Sequence, residues 1–268
     1  MNVPDDVYTH GHADAVLRSH RWRTVANSAA YLQPHLVRGA RVLDIGCGPG
    51  TITAEFADLV GPDGVVVGLD RASGVLDEAR ANAGERTNIS FRTGDVYALD
   101  IADDTFDVVH AHQVLQHLSD PVAALREMRR VCRAGGVVAA RDADYAAMTW
   151  YPSMEPLDRW LEIYHAVARG NRAEPDAGRH LLAWAHAAGF DHVTTSGSAW
   201  CYAGEADRVW WSSLWADRLT ASDFGRQAVE GGHCTADELT QLAAAWHSWG
   251  AEPDGWFAIL HGEILATA

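Results

Sequence analysis

The chain has 268 residues, of which 48% are apolar, 9% aromatic and 21% charged. This is the composition of an ordinary soluble globular protein of one large or two small domains, and it excludes disorder and the fibrous or low-complexity classes. With 36 acidic and 21 basic residues the formal net charge is −15, a balance that repels a phosphate backbone and sets nucleic acid aside as a partner.

The opening MNVPDDVYTH has acids where a signal peptide carries a basic end and an apolar run, and no stretch approaches the ~18 apolar residues of a membrane span. A cytoplasmic protein with no membrane partner is expected. Cys47, Cys132, Cys201 and Cys234 lie far apart without a C-x-x-C pair, so reduced thiols are expected and no zinc site or disulfide framework.

In chain order, Val25, Ala29, Leu32 and Leu36 at helical spacing predict one or two helices over residues 12 to 37. Arg41 to Ile45 reads as a short buried strand that stops at the cluster Gly46-Cys47-Gly48-Pro49-Gly50, and Thr51 to Ala57 reads as a helix. The alternation continues with a strand over 65–69, a helix near 73–83, strands over 89–92 and 106–110, a helix over 121–133 and a strand over 136–140. Such alternation predicts parallel βαβ units with right-handed crossovers and both sheet faces covered.

In the helix from Pro121, Val122, Leu125, Met128 and Cys132 form the inner stripe, and Arg126, Arg129, Arg130 and Arg133 form a solvated face. Past Trp150 the texture becomes amphipathic helices. Leu157, Trp160, Leu161, Tyr164 and Val167 make one stripe; Leu181, Trp184 and Ala188 make another, closed by Gly189. A strand is expected over 190–198 and helix over 205–230. The capping box Thr235-Ala236-Asp237-Glu238 opens a helix that Gly250 ends, and the final strand runs from Trp256 through Leu265. No repeat or linker is visible. One domain is therefore expected: N-terminal helices (1–38), a core (39–141), a helical insertion with one strand lying above the sheet (142–255) and a final strand (256–268).

In a parallel sheet, ligands bind beyond the carboxyl ends of the strands, where the first strand meets its glycine loop. A dinucleotide fingerprint, G-x-G-x-x-G, needs its third glycine where this chain has Thr51. The glycines fall at Gly46, Gly48 and Gly50, two residues after Asp44, and an acid there suits a sulfonium or ammonium ligand better than a pyrophosphate. Asp70 ends the second strand, where a carboxylate accepts both hydroxyls of a ribose. Asp95 ends the third, where it accepts from an adenine amino group while Val96 covers the ring.

Val42 to Gly50, Asp70, Gly94-Asp95, Phe106 to Val109, and Val114 to Leu118 followed by Asp120-Pro121 together resemble a class I S-adenosylmethionine-dependent methyltransferase of the ubiquinone/menaquinone-biosynthesis type. The likeness runs over roughly residues 40 to 140. It implies a Rossmann-like, seven-stranded, mostly parallel sheet with a final antiparallel strand and helices on both faces, joined here by a helical lid in the C-terminal half. By position, it assigns Asp44, Gly46 and Gly48 to the methionine side of the cofactor, Asp70 and Arg71 to the ribose, Asp95 and Val96 to the adenine, and Gln113 to the methionyl part. N-terminal helices often close over the donor in this family, which makes Tyr8, His20, Trp22 and Arg23 candidates.

The donor is already activated, so the protein aligns, excludes water and, where needed, takes a proton from the acceptor. The Asn/Asp-Pro-Pro-Tyr/Phe motif of many amine methylases is absent; the place after the fourth strand reads His110-Ala111-His112-Gln113. His112 and His117 are the candidate general bases, set against a plain packing role. His10 and His12 beside Tyr8 approach the same opening, and no metal is expected there without a carboxylate cluster. Asp142, Asp144 and Tyr145 follow the fifth strand toward the acceptor. Trp150, Trp210, Trp211, Trp215 and Trp256 either wall an apolar acceptor as a hydrophobic lid or pack the helical core. The expected reaction is methyl transfer to a small, rather apolar metabolite at oxygen or carbon before nitrogen, leaving S-adenosylhomocysteine. The rivals are an NAD-dependent oxidoreductase and a non-catalytic S-adenosylmethionine binder.

Overall fold

The computed structural model describes residues 6, 8, 9 and 14–268; His10 and His12 lie outside the described residues. Five parallel strands form the first part of one sheet: β1 (Arg41–Ile45), β2 (Val65–Asp70), β3 (Ile89–Thr93), β4 (Phe106–His112) and β5 (Cys132–Ala143), in the order β3-β2-β1-β4-β5. The last strand, β8 (Trp256–Thr267), is antiparallel to β5 on one side and to β7 (Val193–Tyr202) on the other. A three-residue strand, β6 (Thr149–Tyr151), pairs with the start of β8 on the β5 side and was not anticipated from the sequence.

Period-two alternation decides what each strand offers to each face. Leu43, Ile45, Val67, Leu69 and Val109 face the layer of α5 (Pro121–Val131) and α7 (Leu181–Ala187). Val42, Val66 and Val108 face α2 (Val25–Ser28) and α3 (Thr51–Val60), with Leu32 and Phe56 filling the interface. By the same alternation Asp44, His110 and His112 point to the α3 side. At the β3 edge, α4 (Leu76–Ala83) packs Leu76 and Ala79 near Phe91 and Leu17, the latter on α1 (Asp14–Arg21).

Asp120 accepts from Ala123 N at 2.9 Å and Pro121 occupies the first turn, which fixes the start of α5. Two of its outward arginines do more than solvate. Arg126 and Arg129 donate to the carbonyls of Ala187 and Gly189 at 2.8 and 2.6 Å, satisfying groups at the C-terminal end of α7.

The expected single insertion over 142–255 divides in two, because α7 and β7 are the last crossover of the sheet. One excursion supplies α6 (Glu155–Gly170), between β6 and α7. The other supplies α8 (Glu205–Ala221), α9 (Asp223–Glu230) and α10 (Ala236–Gly250), between β7 and β8. They close on one aromatic core. Trp160 of α6 meets Trp215 of α8 at 4.4 Å and Trp246 of α10 at 4.9 Å, edge to face, and Phe257 of β8 lies 5.6 Å from Trp246.

The helix expected over 205–230 breaks at Ser222, whose extended backbone ends α8 and whose hydroxyl caps Phe224 N at 3.2 Å. At this corner a Cβ on Gly225 would stand 2.0 Å from the Leu219 carbonyl oxygen, whereas one on Gly170 would meet nothing within 4 Å. Gly225→Ala is therefore expected to lose about 2 to 3 kcal/mol of stability, and Gly170→Ala to be neutral or gain up to about 1 kcal/mol, in urea denaturation. Equal midpoints for the two variants would remove the steric argument for the corner.

Candidate active site

The turn after β1 takes its shape from three left-handed glycines, Gly46 (φ 65°), Gly48 (φ 53°) and Gly50 (φ 74°). A Cβ on Gly46 would lie 2.4 Å from Val114 Cγ2, so the segment after β4 closes on bare backbone. Cys47 N donates to Leu69 O at 3.0 Å, and Asp70 ties the tip of β2 to the turn by accepting from Gly48 N at 3.0 Å and Ala72 N at 2.9 Å. A carboxylate has about four lone-pair sites, and these two bonds take two of them.

Beyond the turn lies a cleft of about 430 Å3, within the roughly 300–1,000 Å3 range of small-molecule sites. Gly46, Gly48, Asp70, Arg71, Asp95, Val96 and Gln113 all line it, as do both candidate bases, His112 and His117. Asp95 is exposed and Val96 buried at the far end. The same end is closed by a residue that sequence reading missed: Asp6 accepts from Tyr97 Oη at 2.8 Å and Ser119 N at 3.1 Å, while its carbonyl accepts from Arg71.

Asp44 is placed differently from expectation. Its alternation turns it under α3, where it accepts from Thr53 Oγ1 at 2.5 Å and from His110 Nδ1 at 2.8 Å. It borders a small cavity beneath the glycine turn and does not line the main cleft. Its carboxylate braces the turn from behind.

Gln113 carries a positive φ of 53° at the end of β4, a conformation that costs a non-glycine residue and collects at functional sites. Its Oε1 accepts from Arg23 Nη2 at 2.7 Å, so its Nε2 donates to His261 Nε2 at 2.9 Å and leaves the His261 proton on Nδ1, toward Ile259 O. Gln116 works similarly: its Oε1 accepts from Ala143 N, so its Nε2 donates to His117 Nε2 at 3.0 Å. The accepting nitrogen of His117 is thus occupied. His112, buried between the rings of His110 and His261, has no hydrogen-bond partner on either nitrogen among the described residues.

Burial holds His112, His117 and His261 neutral. It pushes His117 down to about 3, and it pushes His112 and His261 well below the ordinary imidazole value with help from the charges of Arg23 and Arg141. Both candidate bases are consequently weak proton acceptors in the unliganded protein.

Five cleft residues, Tyr8, His20, Arg23, Gln113 and His117, also form one wall of a second, narrow chamber of about 30 Å3. Tyr145 lines it, stacked on Tyr164 at 4.1 Å. Arg218, Trp200 and Trp211 line it as well; Arg218 and Trp200 gave no sequence signal, because a buried arginine on a helix reads as surface. The other tryptophans are not brought there. Trp215 is fully buried in the aromatic core, Trp150 stacks on Phe257 at 5.6 Å, and Trp22 packs on Trp200 and Trp210 behind the chamber wall. Their size serves the helix interface, and Trp215, Trp150 and Trp22, expected at the acceptor, line neither the cleft nor the chamber. Among the described residues no three His, Cys, Asp or Glu side chains converge as metal ligands, and no helix is long and apolar enough to cross a membrane.

On unfolding near pH 5, His112, His117 and His261 gain protons that the folded state refuses. Asp142, held up to about 7 by burial, works the other way, because its folded carboxyl keeps a proton that the unfolded one releases. Three protons taken up against one released leave about two, so stability should fall by about 3 kcal/mol per unit as pH drops from about 6 to 5. Urea midpoints across that range test this, and a flat profile would mean that the histidines are not held neutral.

Residues 36–200 match the family model of a methyltransferase domain. An uncharacterised methyltransferase of Schizosaccharomyces pombe is 36% identical over 278 residues, covering 99% of this chain and 98% of that protein. A demethylmenaquinone methyltransferase of Renibacterium salmoninarum is 32% identical over 181 residues, covering 67% of this chain and 69% of that one. Among solved structures, the YcgJ protein of Bacillus subtilis superposes with a TM-score of 0.56 at 18% identity, covering 89% of this chain and 97% of that chain. The sheet order, the glycine turn, the matched residues and relatives spanning nearly the whole length agree, and this chain belongs to the class I S-adenosylmethionine-dependent methyltransferases.

Proposed function

We propose that this protein transfers a methyl group from S-adenosylmethionine to an oxygen or carbon of a small metabolite with an apolar body, one end of which enters the chamber behind Gln113. The observation that carries this reading is the shared wall: a cleft of about 430 Å3 and a chamber of about 30 Å3 meet at Tyr8, His20, Arg23, Gln113 and His117. The cleft takes the donor; the chamber, roomy enough for a group of about one or two waters in size, takes one end of the acceptor.

Gly46 and Gly48 give the donor bare backbone to lie on, Asp70 with Arg71 takes the ribose, and Asp95 with Val96 takes the adenine. Gln113 faces the methionyl part. Asp44 acts through the turn it braces. When bound, the donor supplies an electrophilic methyl on a sulfonium, which leaves as a neutral thioether while an acceptor lone pair forms the new bond to carbon. The rest of the work is positioning and dryness. Met148, Trp200 and Trp211 keep water from the acceptor, and the Arg23–Gln113–His261 chain fixes the orientation of the residue between the compartments.

Of the two candidate bases, His112, on the cleft side of the shared wall, receives the acceptor proton in this reading, because among the described residues both of its nitrogens are unengaged. His117, with its accepting nitrogen held by Gln116, positions Tyr8 by an edge-to-face contact at 4.7 Å. A base this weak serves an acceptor that sheds its proton readily, such as an enol, a phenol or an activated carbon acid.

S-Adenosylhomocysteine should raise the melting temperature and NAD should not; the reverse result would restore the oxidoreductase reading. Asp70→Ala is expected to weaken S-adenosylhomocysteine by about ten- to a hundredfold, the worth of one or two hydrogen bonds to a charged group; unchanged affinity in calorimetry would show that the ribose lies elsewhere. With a methyl acceptor found by screening small enols, phenols and carbon acids for release of S-adenosylhomocysteine, His112→Asn should lower kcat by about a hundredfold or more with little change in KM. Unchanged kcat would remove the base assignment, and no turnover with any acceptor would favour a non-catalytic binder.

A further inference from the structure

The chamber behind Gln113 contains two guanidinium groups and, among the described residues, no carboxylate paired with either. Arg218 of α8 is 5% exposed, donates Nη2 to Ser19 Oγ at 2.6 Å and lies 4.8 Å over the ring of Trp215, while its Nε is buried with no partner among the described residues. Arg23 spends Nη2 on the neutral Gln113 amide at 2.7 Å, and its Nε is likewise buried without a partner. Arg141 differs in having a carboxylate, Glu263, at 3.2 Å from its Nε, although among the described residues its Nη1 and Nη2 find no partner. Tyr8 and Tyr145 line the chamber with Arg218, and the charge of Arg218 is felt by the hydroxyls of Tyr8, Tyr145, Tyr164 and Tyr202.

Two like charges in one dry chamber are expensive. Burial of a cation without an anion costs far more than a hydrogen bond to serine returns; burial lowers both guanidinium groups, Arg23 to about 10 with a smaller push from the charge of Arg218. A fold retains such an arrangement where an incoming anion completes it. An arginine fork matches a planar, two-oxygen acid in particular, and the flat walls of Trp200 and Trp211 suit a planar group better than a tetrahedral one.

We infer that Arg218, with Arg23 beside it, is the recognition site for a carboxylate on the methyl acceptor, so that the substrate is a small organic carboxylate anchored by its acid end with the reacting atom turned toward the cleft. This rests on the methyl-transfer reading, since the acceptor must share the chamber wall with the donor. Arg218 lines the chamber and not the cleft, which separates it from the residues assigned to the donor.

The test is calorimetric titration of the whole protein with acetate, benzoate, benzamide and inorganic phosphate, each with and without S-adenosylhomocysteine. Benzoate or acetate should bind at least about tenfold more tightly than benzamide, the discrimination one charge-assisted hydrogen bond provides. Arg218→Gln should lose that preference and Arg218→Lys should keep part of it, with S-adenosylhomocysteine affinity changing by less than about threefold in both, a shift smaller than one hydrogen bond. Because the preference is read first in the unsubstituted protein, a variant that fails to fold does not shield the inference. It is overturned if benzamide binds as well as benzoate, if phosphate binds more tightly than either carboxylate, if neither carboxylate binds, or if Arg218→Gln chiefly weakens S-adenosylhomocysteine. Failure of the unsubstituted protein to bind S-adenosylhomocysteine, with the carboxylate preference intact, would instead sink the methyl-transfer reading.

Discussion

The molecule is organised by the close approach of two backbone segments at the carboxyl ends of β1 and β4. The turn at Gly46 runs so near Val114 that no side chain fits between them, and the left-handed Gln113 directs the chain across that contact. Everything functional is hung on it. On one side the turn is stitched by Asp70 to the tip of β2 and faces the cleft; on the other, the Gln113 amide joins Arg23 of the N-terminal segment to His261 of the last strand. A bulkier residue at either position would separate elements that are remote in sequence and adjacent only here.

The second organising feature is an aromatic interface that joins two separate excursions of the chain. Neither α6 nor the group α8–α10 buries its own apolar face alone, and the tryptophans of one fill the gaps of the other against Phe257. The rigidity of this layer has a chemical consequence. It carries Arg218 and Trp211 to the sheet edge, so the chamber is walled partly by core residues, whose positions are fixed by close packing, and partly by the ends of the strands. Arg18 with Asp217, and Arg218 with Ser19, tie α1 to the same layer.

Electrostatically the site inverts the charge of the whole protein. The chain is strongly acidic, yet the chamber holds the guanidinium groups of Arg218 and Arg23 and the neutral imidazole of His117. Acids near the site are either tied into backbone, as Asp70 is, or turned away, as Asp44 is, and Asp142 is held protonated up to about 7. A chamber of low dielectric with cations and no acid among its described lining residues attracts anions, and burial there keeps His117 from charging.

The sequence by itself determined the alternation of strands and helices, the glycine turn, and the acids at the ends of β2 and β3, because these are local: a strand's period, a turn's need for positive φ and a strand-end position are all visible within a few residues. It also marked Gln113, His112 and His117 by their place after β4. Tertiary structure alone decided which face Asp44 turns to, which nitrogen of His117 is spoken for, which tryptophans are core and which line the chamber, and that Arg218 and Arg23 share one small space. Those facts depend on contacts between residues as much as about two hundred positions apart, and helical periodicity cannot say whether an arginine on a helix ends in water or against a tryptophan. The break at Ser222 and the extra pairing of β6 were hidden for the same reason: each is imposed by what the neighbouring element already occupies, a constraint that exists only once the chain has folded.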